Sequence, residues 1–172
     1  ALLASGCLIA VNWGIFIWSV SVGRLVEASF GYYLNPLVNV GLGVLLLGER
    51  LSRVQRIAIG VAALGVLVLG FGSGAAPWLP LSLAATFGLY GLVRKLTPVS
   101  SLAGLSLETA LLSPLAVGYM LVLGATGESP LGTADLRTSA LLVFSGVVTA
   151  LPLIWFASAA RRLSFSALGI FQ

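Results

Sequence analysis

The sequence predicts an all-α polytopic membrane protein, and three observations carry that prediction. Of the 172 residues, 59% are apolar and only 8% are charged, whereas a soluble domain has about 25% charged residues. Uncharged stretches recur along the chain, and about 20 apolar residues suffice to cross the hydrocarbon core as a helix. These stretches lack the alternation of polar and apolar residues that the strands of a membrane barrel require.

Six spans and the beginning of a seventh are expected. The first two are uncharged stretches separated by a short charged connection. The third and fourth share the stretch 57–93, which is too long for one crossing, so the glycines before Pro77 are expected to form a tight turn. A loop of ordinary size, 124–137, separates the fifth and sixth, and a seventh helix begins near Ser164. The six predicted spans lie near residues 1–21, 28–47, 53–71, 77–93, 102–123 and 138–158.

Basic residues divide unequally between the two ends of these helices. One side carries two, Arg24 and Arg137. The other side carries seven, namely Arg50, Arg53, Arg56, Arg94, Lys95, Arg161 and Arg162. Since loops rich in Lys and Arg stay in the cytoplasm, the side with seven is assigned there and residue 1 begins on that side. The arginine pairs are interpreted as anchors and topology determinants, because a lipid-binding cluster usually needs about four or more basic residues together.

Composition also excludes several classes of function. The chain has no histidine and one cysteine, Cys7, which excludes disulfide frameworks, Cys/His zinc sites and Ser-His or Cys-His catalysis. We therefore predict no metal, no cofactor, no catalytic residue and no enzymatic activity. The net charge of +4 comes from scattered residues, so a nucleic-acid partner is not expected.

Segments near the two ends of the chain show a weak internal repeat. When residue i is compared with residue i+138, Arg24, Leu25 and Gly31 align with Arg162, Leu163 and Gly169. This offset shifts the copy by five spans, and an odd shift inverts it, as in many secondary transporters. The alternative is chance similarity between two apolar helices. If the repeat is real, the chain is expected to be part of a protein of about ten helices.

Several motifs resemble the drug/metabolite transporter superfamily, within it the EamA family, and most closely the RarD-like permeases, which are named for chloramphenicol sensitivity. The motifs include Asn12-Trp13, the run Glu27 to Leu37, and Leu47-Gly48-Glu49-Arg50-Leu51. Residues 89–95, 104–109, 149–153 and 159–163 also fit.

The resemblance implies ten helices in two inverted halves of five. Residues 1–74 would then form the end of the first EamA repeat, helices 3–5, and residues 75–172 the second repeat, helices 6–9. It further implies a multi-pass protein of the bacterial cytoplasmic membrane that exports a small drug or metabolite by alternating access. It does not supply the substrate.

Glu108 is the acidic residue set within an apolar stretch, where an ionisable group is costly unless it finds water or a partner. Two interpretations remain open. Glu108 either takes up a coupling proton or pairs with a cationic substrate, or it is a helix-end charge that the dipole favours and that Arg94 or Lys95 neutralises.

Polar residues on three helices are candidates for lining a substrate cavity. Tyr32, Asn35 and Asn39 share one helix face beside Pro36, which frees a backbone carbonyl. The alternative is that buried amides only hydrogen-bond neighbouring helices. The remaining candidates are Asn12, Trp13, Thr149, Pro152, Trp155 and Gln172. Tyr90 is predicted to be interfacial and is a further, weaker candidate.

Two functions are compatible with the sequence. The first is a secondary transporter, with proton coupling through Glu108 as an option, and the second is a membrane scaffold or partner subunit that transports nothing. The expected partners are a small-molecule substrate and the lipid bilayer, and a homodimer is compatible with the sequence.

Overall fold

The computed structural model describes residues 1–73, 77–127 and 135–172, and within these ranges it consists of helices without a strand. Numbered in chain order, the helices are α1 (Leu2–Ser21), α2 (Leu25–Leu47), α3 (Arg53–Ser73), α4 (Trp78–Leu96), α5 (Ser101–Thr126), α6 (Leu136–Arg162) and α7 (Phe165–Phe171). Each coincides with a predicted segment. The all-α prediction is confirmed, and the bounds differ by a few residues at the helix ends.

The ends of the helices follow from local hydrogen bonding. Gly48 ends α2 in the left-handed conformation, with φ of 65°, which glycine adopts without steric cost. Ser52 and Gln55 form a capping box before α3, since each side chain bonds the other residue's backbone N–H. Ser100 and Ser164 cap α5 and α7 through their hydroxyl oxygens.

Five of the described helices, α1, α2, α3, α5 and α6, are long and apolar enough to cross a membrane. The predicted fourth span, α4, is not among them, because Arg94 and Lys95 occupy its last turn. α4 instead lies among other helices, where its polar side chains have protein partners. The outward surface of the bundle is apolar, with Val26, Leu45 and Leu136 more than three-quarters exposed. The chain is a multi-pass membrane protein.

α2 and α4 together form the centre of the packing. α4 contacts α1, α2 and α6, and α2 contacts α1, α3, α4 and α7. A cluster near the beginning of α4 joins Leu79 and Leu83 to Ala28 of α2. A second cluster near its end joins Leu92 to Phe165 of α7 and to α6. Among the described helices, α2 is the one against which α3 mainly packs. None of the residues in the α3 span Arg53–Gly70 is buried.

The predicted boundary between the two repeats, at residues 74 and 75, lies outside the described residues. Much of the predicted loop 124–137 also lies outside them. The division into 1–74 and 75–172 therefore stays a prediction.

Close approach between α2 and α4 depends on Gly88. A Cβ at this position would lie 2.6 Å from Val38 Cγ1 and 3.2 Å from Leu42 Cδ1. We expect Gly88→Ala to destabilise the protein by about 1–3 kcal/mol, because side chains or helices must shift. Gly65 on α3 has open space around its Cβ direction, so Gly65→Ala is the matched control and should leave stability unchanged or slightly higher. Thermal melting of both variants in detergent measures the difference, and equal melting temperatures would contradict it.

Candidate functional site

Glu108 lies at the junction of α1, α4 and α5 and is 1% exposed. Its Oε1 accepts a hydrogen bond from the Ser5 hydroxyl of α1, at 2.5 Å. Arg94 of α4 is equally buried, and its Nη1 lies 3.5 Å from the same oxygen. Removing a carboxylate and a guanidinium from water is costly, and their attraction offsets this cost only when the two groups pair closely. The pairing of Glu108 with Arg94 was one of the two predicted interpretations.

Arg94 is held in position by α5. Its Nη2 donates to the Ser101 carbonyl oxygen at 2.9 Å. Gly104, one helical turn further along α5, leaves the space that the guanidinium occupies, since a Cβ there would overlap Nη1. A glycine in an apolar helix is thus explained by the side chain that packs against it.

Tyr90 completes what we call the Glu108 cluster, which consists of Ser5, Tyr90, Arg94 and Glu108. The prediction that Tyr90 is interfacial is wrong, because its side chain is fully buried. Tyr90 precedes Arg94 by one helical turn, so both face the same neighbours, and its ring stacks on Phe156 of α6 at 6.4 Å between centroids. Its phenol lies near the Glu108 carboxylate.

The Glu108 cluster retains unused hydrogen-bonding capacity. Glu108 Oε2 and Arg94 Nε and Nη1 are buried and have no hydrogen-bond partner among the described residues. Buried polar atoms without partners are costly and are usually satisfied by water or a ligand. Chemically, this arrangement offers free hydrogen-bonding atoms of both groups to a water molecule or another polar partner.

A second polar region, which we call the amide cavity, lies between α1, α2 and α4. It has a volume of about 10 Å³, room for about one water molecule. Asn12 Nδ2 donates to the Leu83 carbonyl at 2.9 Å and to Thr86 Oγ1 at 2.8 Å. The cavity is lined by Asn12, Gly31, Tyr32, Asn35, Leu83 and Phe87. Three candidates from two helices are therefore brought together.

Asn35 and Asn39 are both buried, but their partners differ. Asn35 Oδ1 and Asn39 Oδ1 have no hydrogen-bond partner among the described residues. Asn39 Nδ2 donates to Gln172 Oε1 at 2.5 Å. Beside this contact the α7 backbone approaches Pro36, where a Cβ on Gly169 would lie 2.7 Å from the Pro36 carbonyl oxygen.

The other candidates lie apart from both regions. Trp13 is 37% exposed and packs edge-on to Phe16. On α6, Pro152 and Trp155 are exposed and Thr149 is half-buried, and none of them lines the amide cavity. Whether any candidate binds substrate stays a prediction.

Glu49 is a structural residue that the sequence analysis did not select. Its Oε1 accepts from the Phe165 N–H, and its Oε2 accepts from the N–H and hydroxyl of Ser166, at 2.5–2.7 Å. The carboxylate thus holds the first turn of α7 to the end of α2. Burial alone would raise the pKa of Glu49, but these hydrogen bonds and the charge of Lys95 outweigh it and lower the pKa below its usual value. In the sequence, Glu49 appears only within the motif Leu47-Gly48-Glu49-Arg50-Leu51, which does not reveal a partner 116 residues away.

Comparison with known proteins gives relatives along the whole chain. It is 48% identical over 172 residues to Protein RarD of Streptomyces exfoliatus, covering all of this chain and 54% of that protein. It is 46% identical over 172 residues to the uncharacterized transporter YojE of Bacillus subtilis, covering 57% of it. Protein RarD of Escherichia coli is 43% identical over 171 residues, with 58% of it covered.

The chain is similar to RarD proteins along its whole length. It spans somewhat more than half the length of these relatives. No protein-family model matches this RarD-like chain, and no solved structure matches it. The predicted resemblance to RarD-like permeases is confirmed.

Gly104→Ala should damage the Glu108 cluster specifically. The added methyl displaces the Arg94 guanidinium from buried Glu108, and we expect a loss of stability of about 2 kcal/mol. Gly6 on α1 faces the same carboxylate, but a Cβ there makes ordinary contacts at 3.8 Å. Gly6→Ala is therefore the control. Thermal melting in detergent compares them, and a Gly104→Ala variant as stable as Gly6→Ala would show that the glycine is not needed.

Glu49→Gln should weaken the attachment of the first turn of α7 to the end of α2. We expect a loss of about 1 kcal/mol, because a charged acceptor at a helix N-terminus is replaced by a neutral one. The folded-state pKa of Glu49 is lowered from 4.5, so its contribution is present above that pH and is lost as the pH falls through the folded-state value. Melting temperatures of wild type and variant, measured at pH 7 and at decreasing pH, should therefore converge as the pH falls below 4.5 and through the lower folded-state pKa. A difference that grows on acidification would contradict the assignment.

Proposed function

We propose that this RarD-like protein, in its full natural length, is a secondary transporter that exports a small drug or metabolite across the bacterial cytoplasmic membrane by alternating access. The observation that carries the proposal is a carboxylate and a guanidinium buried together inside a membrane-embedded helix bundle. Ionisable groups in such places are expensive and are typically functional. The names of the relatives, which include uncharacterized transporters, agree with this class of function.

The proposal divides the chain into the end of one inverted repeat, residues 1–74, and a second repeat, residues 75–172. Under the offset of 138 residues, α2 and α7 are repeat-related helices. Their contact through Asn39, Gln172 and the Pro36 carbonyl supports this division, because binding sites of such transporters form where the repeats meet. The charge count along the loops supports placing residue 1 in the cytoplasm.

Glu108 is the proposed coupling group. As a carboxylate it holds Arg94 of α4 and Ser5 of α1. A proton on Glu108 removes the negative charge and weakens its attraction for Arg94, so the contacts between three helices change with protonation. A proton gradient can then shift the equilibrium between two conformations, because the proton binds to the two conformations with different free energies.

A second candidate function is a membrane scaffold or partner subunit. It is favoured by the ion pair itself, since Arg94 neutralises Glu108 without any substrate. In that case the buried amides only join helices, as Asn12 joins α1 to α4.

Flux measurements separate these functions. The full-length protein is placed in proteoliposomes, and uptake of a panel of labelled metabolites and antibiotics, chloramphenicol included, is measured with and without a pH gradient. We expect gradient-dependent movement by wild type and its loss in Glu108→Gln, because the variant carries no titratable group at the coupling position. Glu27→Gln is the control, since Glu27 also pairs with an arginine, Arg24, but outside the cluster.

Each other outcome has a defined meaning. If Glu108→Gln keeps the pH-dependent flux of wild type, coupling through Glu108 is excluded while transport stands. If folded wild type moves nothing across a broad panel, the scaffold function replaces the transporter.

A further inference from the structure

A groove of about 440 Å³ lies between the first turn of α5 and the last turns of α6. Its lining combines arginines, hydroxyl groups and apolar side chains, among them Ser101, Leu102, Ile154, Ser158, Arg161 and Arg162. No acidic side chain lines it within the described part of the chain. The groove shares no lining residue with the amide cavity.

We propose that this groove binds the phosphate group of an anionic membrane phospholipid. The charge count in the sequence treated Arg161 and Arg162 as simple anchors. The fold adds hydroxyl groups and a helix N-terminus to the two guanidinium groups, and this combination has the chemistry of a phosphate site. Arg161 is oriented there because its Nη1 donates to the Val99 carbonyl oxygen.

Ser101 gives the groove a hydroxyl group. The residue lines the groove and is 9% exposed. Ser101 also begins α5, where the first backbone N–H groups have no acceptor within the helix. The capping hydroxyl of Ser100 accepts from the Ala103 N–H alone, which leaves the first amides of α5 to an outside anion.

Among the described residues, neither arginine pairs with an acidic side chain or bonds a carbonyl group at the end of α6. Lys95 Nζ donates to the Ala160 and Leu163 carbonyl oxygens at 3.1 Å and 2.5 Å. Glu49, at the same end of the bundle, is bound to the first turn of α7. The charges of Arg161 and Arg162 therefore remain available to a ligand.

The apolar part of the lining favours a lipid over a free phosphate. Leu102 is 63% exposed and lies with Ile154 beside the polar groups. The outer surfaces of α5 and α6 continue as apolar faces, with Leu115, Leu121 and Val143 more than two-thirds exposed. A phospholipid places its phosphate at the helix ends and its acyl chains along such faces, and basic pockets between helices on the cytoplasmic side bind anionic headgroups in this way.

A second arginine pair provides a matched control. Arg53 and Arg56 line another groove, of about 360 Å³, together with Ile57. This groove has the same number of arginines without a serine in its lining. Removing its charges changes the net charge of the protein equally.

Native mass spectrometry of the full-length protein in detergent tests the proposal, because no charged bilayer surface is present to attract arginines nonspecifically. The added probes are phosphatidylglycerol, phosphatidylcholine and inorganic phosphate. We expect wild type to retain phosphatidylglycerol, and Arg161→Gln/Arg162→Gln to bind it about thirtyfold more weakly, at the usual contribution of two basic residues. Ser101→Ala, a minimal change, should weaken retention by about tenfold, and Arg53→Gln/Arg56→Gln should retain the lipid as wild type does.

The remaining outcomes overturn the proposal. Equal retention of phosphatidylcholine, which has a phosphate but no net charge, would show that the groove does not select an anionic lipid, and binding of inorganic phosphate alone would assign the groove to a soluble anion. Equal loss in the Arg53/Arg56 variant would show attraction by net charge only. If the Arg161/Arg162 variant does not fold, unchanged retention in Ser101→Ala contradicts the site.

Discussion

A guanidinium buried inside a membrane-embedded bundle has to be paired, and this requirement organises the packing of α1, α4 and α5. Arg94 is 1% exposed, and its charge is balanced by Glu108, which Ser5 also contacts. Neither α4 nor α5 can turn about its axis without separating Arg94 from Glu108 and leaving a charge uncompensated in a medium of low dielectric constant. Turning α1 would remove the hydrogen bond that Ser5 donates to Glu108. Apolar packing in lipid is far less selective, because lipid tails are as apolar as leucine.

α1 connects the two polar regions of the fold. Ser5 and Asn12 are seven residues apart in sequence, so they lie on one helix face two turns apart. Ser5 contacts the Glu108 cluster, and Asn12 bonds α4 beside the amide cavity. A displacement of α1 that follows a change at Glu108 therefore reaches the amide cavity directly, which gives the proposed coupling a physical route through one rigid helix.

The sequence predicts the helices well because lipid imposes a simple rule on composition. Every described helix falls on a predicted segment, and the wrong assignment, Tyr90, arose where a position near a helix end was taken to mean exposure. The pairing of Glu108 with Arg94 could be predicted from the sequence as one of two interpretations, because the two residues are near each other along the chain. The bond between Glu49 and α7 could not be predicted in this way, because hydropathy describes single helices and carries no information on which helix ends meet.

The burial of Arg94 also bears on the biogenesis of the protein. During membrane insertion the basic residues at each helix end act in the unfolded chain, and all seven on the side assigned to the cytoplasm then contribute to orientation. After folding, Arg94 is enclosed by protein and Lys95 holds the end of α6. The same two residues thus serve first as an insertion signal and then as packing elements. Charge-reversal experiments on topology at these positions will therefore report on assembly as well as on orientation, whereas the exposed Arg50 and Arg53 report on orientation alone.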